Sequence, residues 1–160
     1  MKNVLIILIP LTIFACKPTI KNENNLLENV YGNDTLKIDA HFSECGEWGG
    51  HHETFRIFRN ENKVLMFNFQ KDTVNCLDPS NFNKRILEEQ INILTKDDEI
   101  AVLKYIQLAA SESFKNDGLG HSSNSYKVSR NYEKLLINFC DNSDDWMGFE
   151  TLKKEILISK

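Results

Sequence analysis

The sequence predicts an α+β domain: an antiparallel sheet of about five strands in the order βββ-α-ββ-α, with the helices packed on one face of the sheet. Three observations predict it. Apolar and polar residues alternate with period two in consecutive runs between Leu36 and Phe69. A helical periodicity then runs from Ile100 to Phe114. Two further alternating runs follow, and a second helical stripe spans Trp146 to Ile156.

In the first strand Leu36, Ile38, Ala40 and Phe42 alternate with Thr35, Lys37, Asp39 and His41. The second places Phe55 and Ile57 against Thr54 and Arg56, and Asn60-Glu61-Asn62-Lys63 turns the chain. The third sets Leu65, Phe67 and Phe69 on one face, Met66 and Asn68 on the other. From Lys84 to Leu94 two readings stay open, because Leu87, Ile91 and Leu94 fit a helix while Leu87, Ile91 and Ile93 fit a strand. Thr95 and Asp98 form an acidic version of the capping box. Behind it Ile100, Leu103, Ile106, Ala110 and Phe114 fall on one helix side, and Asn116-Asp117-Gly118 closes the helix. Tyr126 and Val128 mark the fourth strand; Leu135, Ile137 and Phe139 mark the fifth. Ser143 is placed to cap the last helix, whose stripe is Trp146, Phe149, Leu152 and Ile156.

Ahead of the domain, Lys2 precedes an apolar run from Val4 to Ala15, which is followed at once by Cys16. The run has the length of a signal-peptide core; a membrane-spanning helix needs about 20 apolar residues. Ile13-Phe14-Ala15-Cys16 resembles the lipobox of bacterial lipoproteins, with Phe14 standing where a small residue is usual. The resemblance implies cleavage before Cys16, lipidation of that cysteine and residence in the envelope, on the periplasmic face or the cell surface. It extends over the leader only. The expected organisation is a signal peptide over 1–15, a lipidated N-terminus and polar tether over 16–33, and one domain over 34–160. Within the tether Leu26, Leu27, Val30 and Tyr31 can form a helical turn or an edge contact.

Of 19 Lys and Arg and 23 Asp and Glu, loss of Lys2 leaves 18 against 23, a mature charge of about −5. There is no basic tract, which argues against a nucleic-acid partner.

Cysteines remain at 45, 76 and 140. An exported protein meets an oxidising compartment, and three thiols allow one bond. Up, down and up strand directions bring Cys45 and Cys76 to the same end of the sheet, so they are the preferred pair. Their bond would stabilise by about 3 kcal/mol in the chain-entropy account. Cys140 is then a partly buried thiol. The alternative is three reduced cysteines behaving as small apolar residues.

The segment from Glu44 to His52 holds the candidate site. Cys45, Glu47, Trp48, Gly49 and Gly50 form a glycine-rich loop offering exposed aromatic surface to a partner. His41, His51 and His52 flank it. By strand parity His41 and His52 share the face turned away from the core. With Cys45 or a loop carboxylate they could hold zinc or copper, although the spacing matches no standard zinc pattern. A disulfide at Cys45 would remove it from such a set. Histidine paired with Glu44, Glu47 or Glu53 could do acid–base work, but no nucleophile is positioned beside them. The Gly118-Leu119-Gly120 and Asp141–Asp145 segments lack the residues of a phosphate or calcium loop. The expected role is binding of an envelope protein or small ligand without chemistry and without a cofactor. Metal binding through the histidines is the alternative.

Overall fold

The computed structural model describes residues 27, 30, 34–44, 50–73, 85–115, 123–130, 136–143 and 145–158. The expected α+β architecture is present, with one more strand than the order βββ-α-ββ-α contains. Strands β1 (Thr35–Phe42), β2 (His51–Arg59), β3 (Leu65–Asp72) and β4 (Ile86–Ile93) precede helix α1 (Lys96–Lys115). Strands β5 (Asn124–Arg130) and β6 (Leu136–Asp141) follow, then helix α2 (Gly148–Lys153), which continues as a π-helical turn over Lys154–Ile158. All six strands form one antiparallel sheet in the order β4-β3-β2-β1-β5-β6.

Within the segment that two periods fitted, Ile86–Ile93 is therefore a strand. Antiparallel pairing with β3 sets Ile93 opposite Met66 and Ile91 opposite Asn68, with a register shift at Lys71/Asp72. The capping box begins α1 immediately afterwards: Thr95 N donates to Asp98 Oδ2 at 2.8 Å, and Asp98 N donates to Thr95 Oγ1 at 3.3 Å.

Strand parity decides the core. Leu36, Ile38, Ala40, Phe55, Ile57, Leu65, Phe67, Phe69, Tyr126, Val128 and Phe139 are buried under the helices. Each of the Leu, Ile, Val and Phe side chains contributes about 1.5–3 kcal/mol on leaving water. From above, Phe149 meets Phe55 at 5.9 Å and Tyr105 at 6.1 Å, while Trp146 lies 4.5 Å from Tyr126 and 4.8 Å from Phe139.

Two expectations need correction. The buried face of α1 is Asp98, Glu99, Ala101, Val102, Tyr105 and Ala109, while Ile100 and Phe114 are exposed. The helix is turned by about one residue, roughly 100°, from the stripe expected. Small Ala101 and Ala109 let it lie close to the sheet, and Tyr105 joins the aromatic layer. Ser143 does not cap α2. The helix begins at Gly148 after Met147, with no side-chain cap. Asp141 instead organises the turn, accepting from Ser143 Oγ at 2.8 Å and Trp146 N at 2.7 Å. The core also starts before residue 34. Leu27 and Val30 are buried, Arg59 Nε donates to Val30 O at 2.7 Å, and Leu27 N donates to Glu99 Oε2 at 3.3 Å. These two residues make the edge contact open to them in the sequence.

Among the described residues no helix is long and apolar enough to cross a membrane. Cys140 is a free, half-buried thiol on β6. Cys16, Cys45 and Cys76 lie outside the described residues.

Candidate functional site

The site end of the sheet is built by the β1–β2 connection. β1 ends at Phe42 and the chain returns through Gly50 into β2. Gly50 has φ +146°, and a Cβ there would sit 1.9 Å from Phe42 O and 2.9 Å from His41 Nε2. Only glycine passes that close to the end of β1. His51 and His52 belong to β2 rather than to the loop; Cys45, Glu47, Trp48 and Gly49 lie outside the described residues.

Register then sorts the histidines. His41 stands opposite His52, and Phe42 opposite His51. Because faces alternate along a strand, His51 turns to the core side. It is buried and stacked on Phe42, with centroids 4.8 Å apart and planes 18° apart. His41 and His52 share the open side as expected, with ring centroids 4.5 Å apart and planes tilted by 40°. Ser125 pairs with His41, and Cys140 with Ser125, so these residues continue the same row across the open face. At the other end of the row His52 N donates to Asp72 Oδ1 at 2.5 Å. The backbone of the sheet separates His51 from the other two imidazoles. Among the described residues no group of three His, Cys, Asp or Glu side chains is placed to hold a metal ion.

On the core side the structure reveals a charge cluster centred on Glu53, whose carboxylate is almost wholly buried. Its Oε1 lies 3.0 Å from Lys71 Nζ and 3.1 Å from His51 Nε2, and its Oε2 lies 2.6 Å from Lys153 Nζ. Lys153 also reaches Glu150 Oε1 at 2.8 Å, and its ammonium stands 5.8 Å from the ring centroids of both Phe42 and Phe149. His51 Nδ1 faces Glu44 Oε2 at 3.0 Å, so both its ring nitrogens look onto carboxylate oxygens.

Burial pushes the Glu53 carboxyl up, but Lys153 outweighs it together with Lys71 and His51, and the net displacement is below the ordinary value of 4.5. Burial pulls the Lys153 ammonium down, and its bonds to Glu150 and Glu53 reverse that, holding it above 10.5. A buried carboxylate with no cation beside it would be strongly unfavourable, which is why two lysines converge here.

A depression of about 420 Å³ opens beside the cluster, and Glu53, Phe69, Lys71, Glu88, Glu150 and Lys153 are among the residues that line it. Its lining holds both cations and carboxylates, which suits a ligand or peptide carrying both charges. Lys71 and Lys153 did not figure among the site residues expected from the sequence, and Glu53 figured only as an acid–base partner for histidine. A signal was present: His51 and Glu53 fall on the parity of Phe55 and Ile57, and a carboxylate on an apolar strand face needs a partner.

Comparison with protein-family models, curated proteins and solved structures finds no match to this chain.

Proposed function

We propose that this chain is a lipid-anchored protein of the cell envelope whose α+β domain binds a partner or small ligand without catalysing a reaction. The observation that carries the anchoring is the apolar run ending in Ile13-Phe14-Ala15-Cys16. A diacylated and acylated cysteine holds a protein stably at a bilayer, where one chain alone does not. The binding region is the end of the sheet between Glu44 and Glu53, with the mixed-charge depression beside it. Binding rather than chemistry is supported by the direction of the titrations. A general acid or base works best with a pKa near the operating pH, whereas Glu53 and Lys153 are both displaced away from neutrality.

The test is palmitate labelling and membrane fractionation of the full chain and of Cys16→Ser. Label and membrane partitioning should both be lost in the variant. If the variant keeps either one, the anchor is elsewhere and the reading fails.

A second reading, metal binding, is favoured by one observation: His41 and His52 stand directly opposite on the open face with rings 4.5 Å apart. Two imidazoles at that separation suit zinc or copper with its remaining positions filled from elsewhere. Metal content of the purified protein decides it. Stoichiometric metal lost in both His41→Ala and His52→Ala, and retained in His51→Ala on the other face, supports the reading. A metal-free protein at every stage of purification removes it.

A further inference from the structure

Strand register gives the depression beside Glu53 a charged end and an apolar end. Residues directly opposed on neighbouring strands share a face of the sheet. Glu53 pairs with Lys71, and Lys71 with Glu88, so carboxylate, ammonium and carboxylate form one row across β2, β3 and β4. The next row on the same face is Phe55, Phe69 and Gln90. Two residues along a strand separate the rows, about 6.6 Å. Lys154 and Leu157, both of the π-helical turn, line the same depression.

The charges at the first end are unequally committed. Lys71 stands between two carboxylates, and its ammonium goes to the buried one, Glu53 Oε1, at 3.0 Å. Burial explains the choice: a carboxylate out of water needs its cation far more than one that water still reaches. The bond holds the Lys71 ammonium in place, and among the described residues its other N–H donors are unused. Among the described residues the exposed Glu88 has no ion pair, and neither has the exposed Lys154. Lys153 is committed to both Glu53 and Glu150.

We propose that the depression binds a free apolar α-amino acid, with its ammonium on Glu88, its carboxylate on Lys71 and Lys154, and its side chain along Phe69 and Leu157. This rests on the binding role proposed above for that depression, and names the class of ligand. An α-amino acid carries both charges on one carbon, as Lys71 and Glu88 are carried by directly opposed residues. Its side chain leaves from that same carbon, and a long one bridges the spacing between the rows to reach Phe69. A simple anion or cation is disfavoured. Glu53, Glu88 and Glu150 balance Lys71, Lys153 and Lys154 in the lining, so neither sign is in excess. The interior of a peptide brings no charge to Glu88 or to the lysines. The volume, about 420 Å³, falls within the ordinary range for small-molecule sites.

The test is ligand-observed NMR titration of the full chain in mild detergent with three probes. L-phenylalanine carries both charges, phenethylamine lacks the carboxylate and 3-phenylpropionate lacks the ammonium. L-phenylalanine should bind about tenfold or more tightly than either analogue, since each analogue loses one charge-assisted contact. Glu88→Gln should weaken L-phenylalanine about tenfold and leave 3-phenylpropionate unchanged. Lys154→Gln should weaken L-phenylalanine about tenfold and leave phenethylamine unchanged. Both positions are exposed, so both variants should unfold at the wild-type midpoint. An analogue that binds as tightly as L-phenylalanine overturns the amino-acid assignment and leaves the depression a binding site. L-phenylalanine binding that survives either substitution overturns the assignment too. So does the absence of saturation by L-phenylalanine at millimolar concentration, and the palmitate result then stands by itself. In Cys16→Ser the titration should match wild type, which separates the ligand from the anchor.

Discussion

Glu53 on β2 and Lys153 at the end of α2 meet at 2.6 Å across the interface between sheet and helix. The contact joins the candidate site to the core, because Lys153 also stands against Phe42 and Phe149. Glu53→Gln keeps the shape and removes the charge, leaving two lysines facing a neutral amide. Urea unfolding at pH 7 should show a loss of about 3 kcal/mol. The folded Glu53 carboxyl lies below its ordinary 4.5. Its contribution is therefore present above pH 4.5 and lost as the pH falls from there through the folded value. Wild type and Glu53→Gln should converge below that window. A difference that stays constant down to the acid transition would show that the charge is not the cause.

Replacing both partners tests whether the pair is stabilising or only costly to break. Glu53→Leu with Lys153→Met should lie within about 1 kcal/mol of wild type, while each single change is far worse. In the same series, the stability that Lys153 supplies is present below pH 10.5 and is lost as the pH rises through its higher folded value. The alkaline limb of the unfolding profile should therefore flatten in the double variant. Additive single effects would sink the idea of a coupled pair.

Tyr105 is buried in the aromatic layer, and its hydroxyl has no hydrogen-bond partner among the described residues. Burial pushes its phenol well above the usual tyrosine range, with Tyr126 and Asp39 adding to the effect. Tyr105→Phe removes an unsatisfied polar atom and little else, so thermal unfolding should show a gain of about 1 kcal/mol. A destabilised variant would mean that the hydroxyl is bonded in solution, as by an ordered water.

Thr95 opens α1 by accepting from Asp98 N. Thr95→Ala should cost about 1 kcal/mol in chemical denaturation. Thr95 N still donates to the Asp98 carboxylate in this variant, so the buried Asp98 side chain should keep its place. An unchanged midpoint would show that the α1 start is held by packing alone.

How much was legible follows from the range over which each signal acts. Period-two alternation is written in neighbouring residues, and it marked strands β1, β2, β3 and β5 with the correct inward faces. The capping box at Thr95 and Asp98 is equally local. So is the separation of His41 and His52 from the core, which parity alone assigns. β4 was ambiguous because Leu87, Ile91, Ile93 and Leu94 satisfy two periods at once, and only the presence of β3 beside them selects the strand. The inward face of α1 was displaced because Ile100 and Phe114 are more apolar than Ala101 and Ala109, yet close approach to the sheet favours the smaller side chains.

The sequence by itself determined the class of fold, the strand parity and the apolar run from Val4 to Ala15. Tertiary structure alone decided that Glu53 finds Lys71, 18 residues on, and Lys153, 100 residues on. It also decided that Leu27 and Val30 join the core through Arg59. The physical reason is that backbone geometry repeats over a few residues and leaves a local pattern. The partner of a buried charge is chosen by whatever the fold brings within about 3 Å, and no local pattern records it.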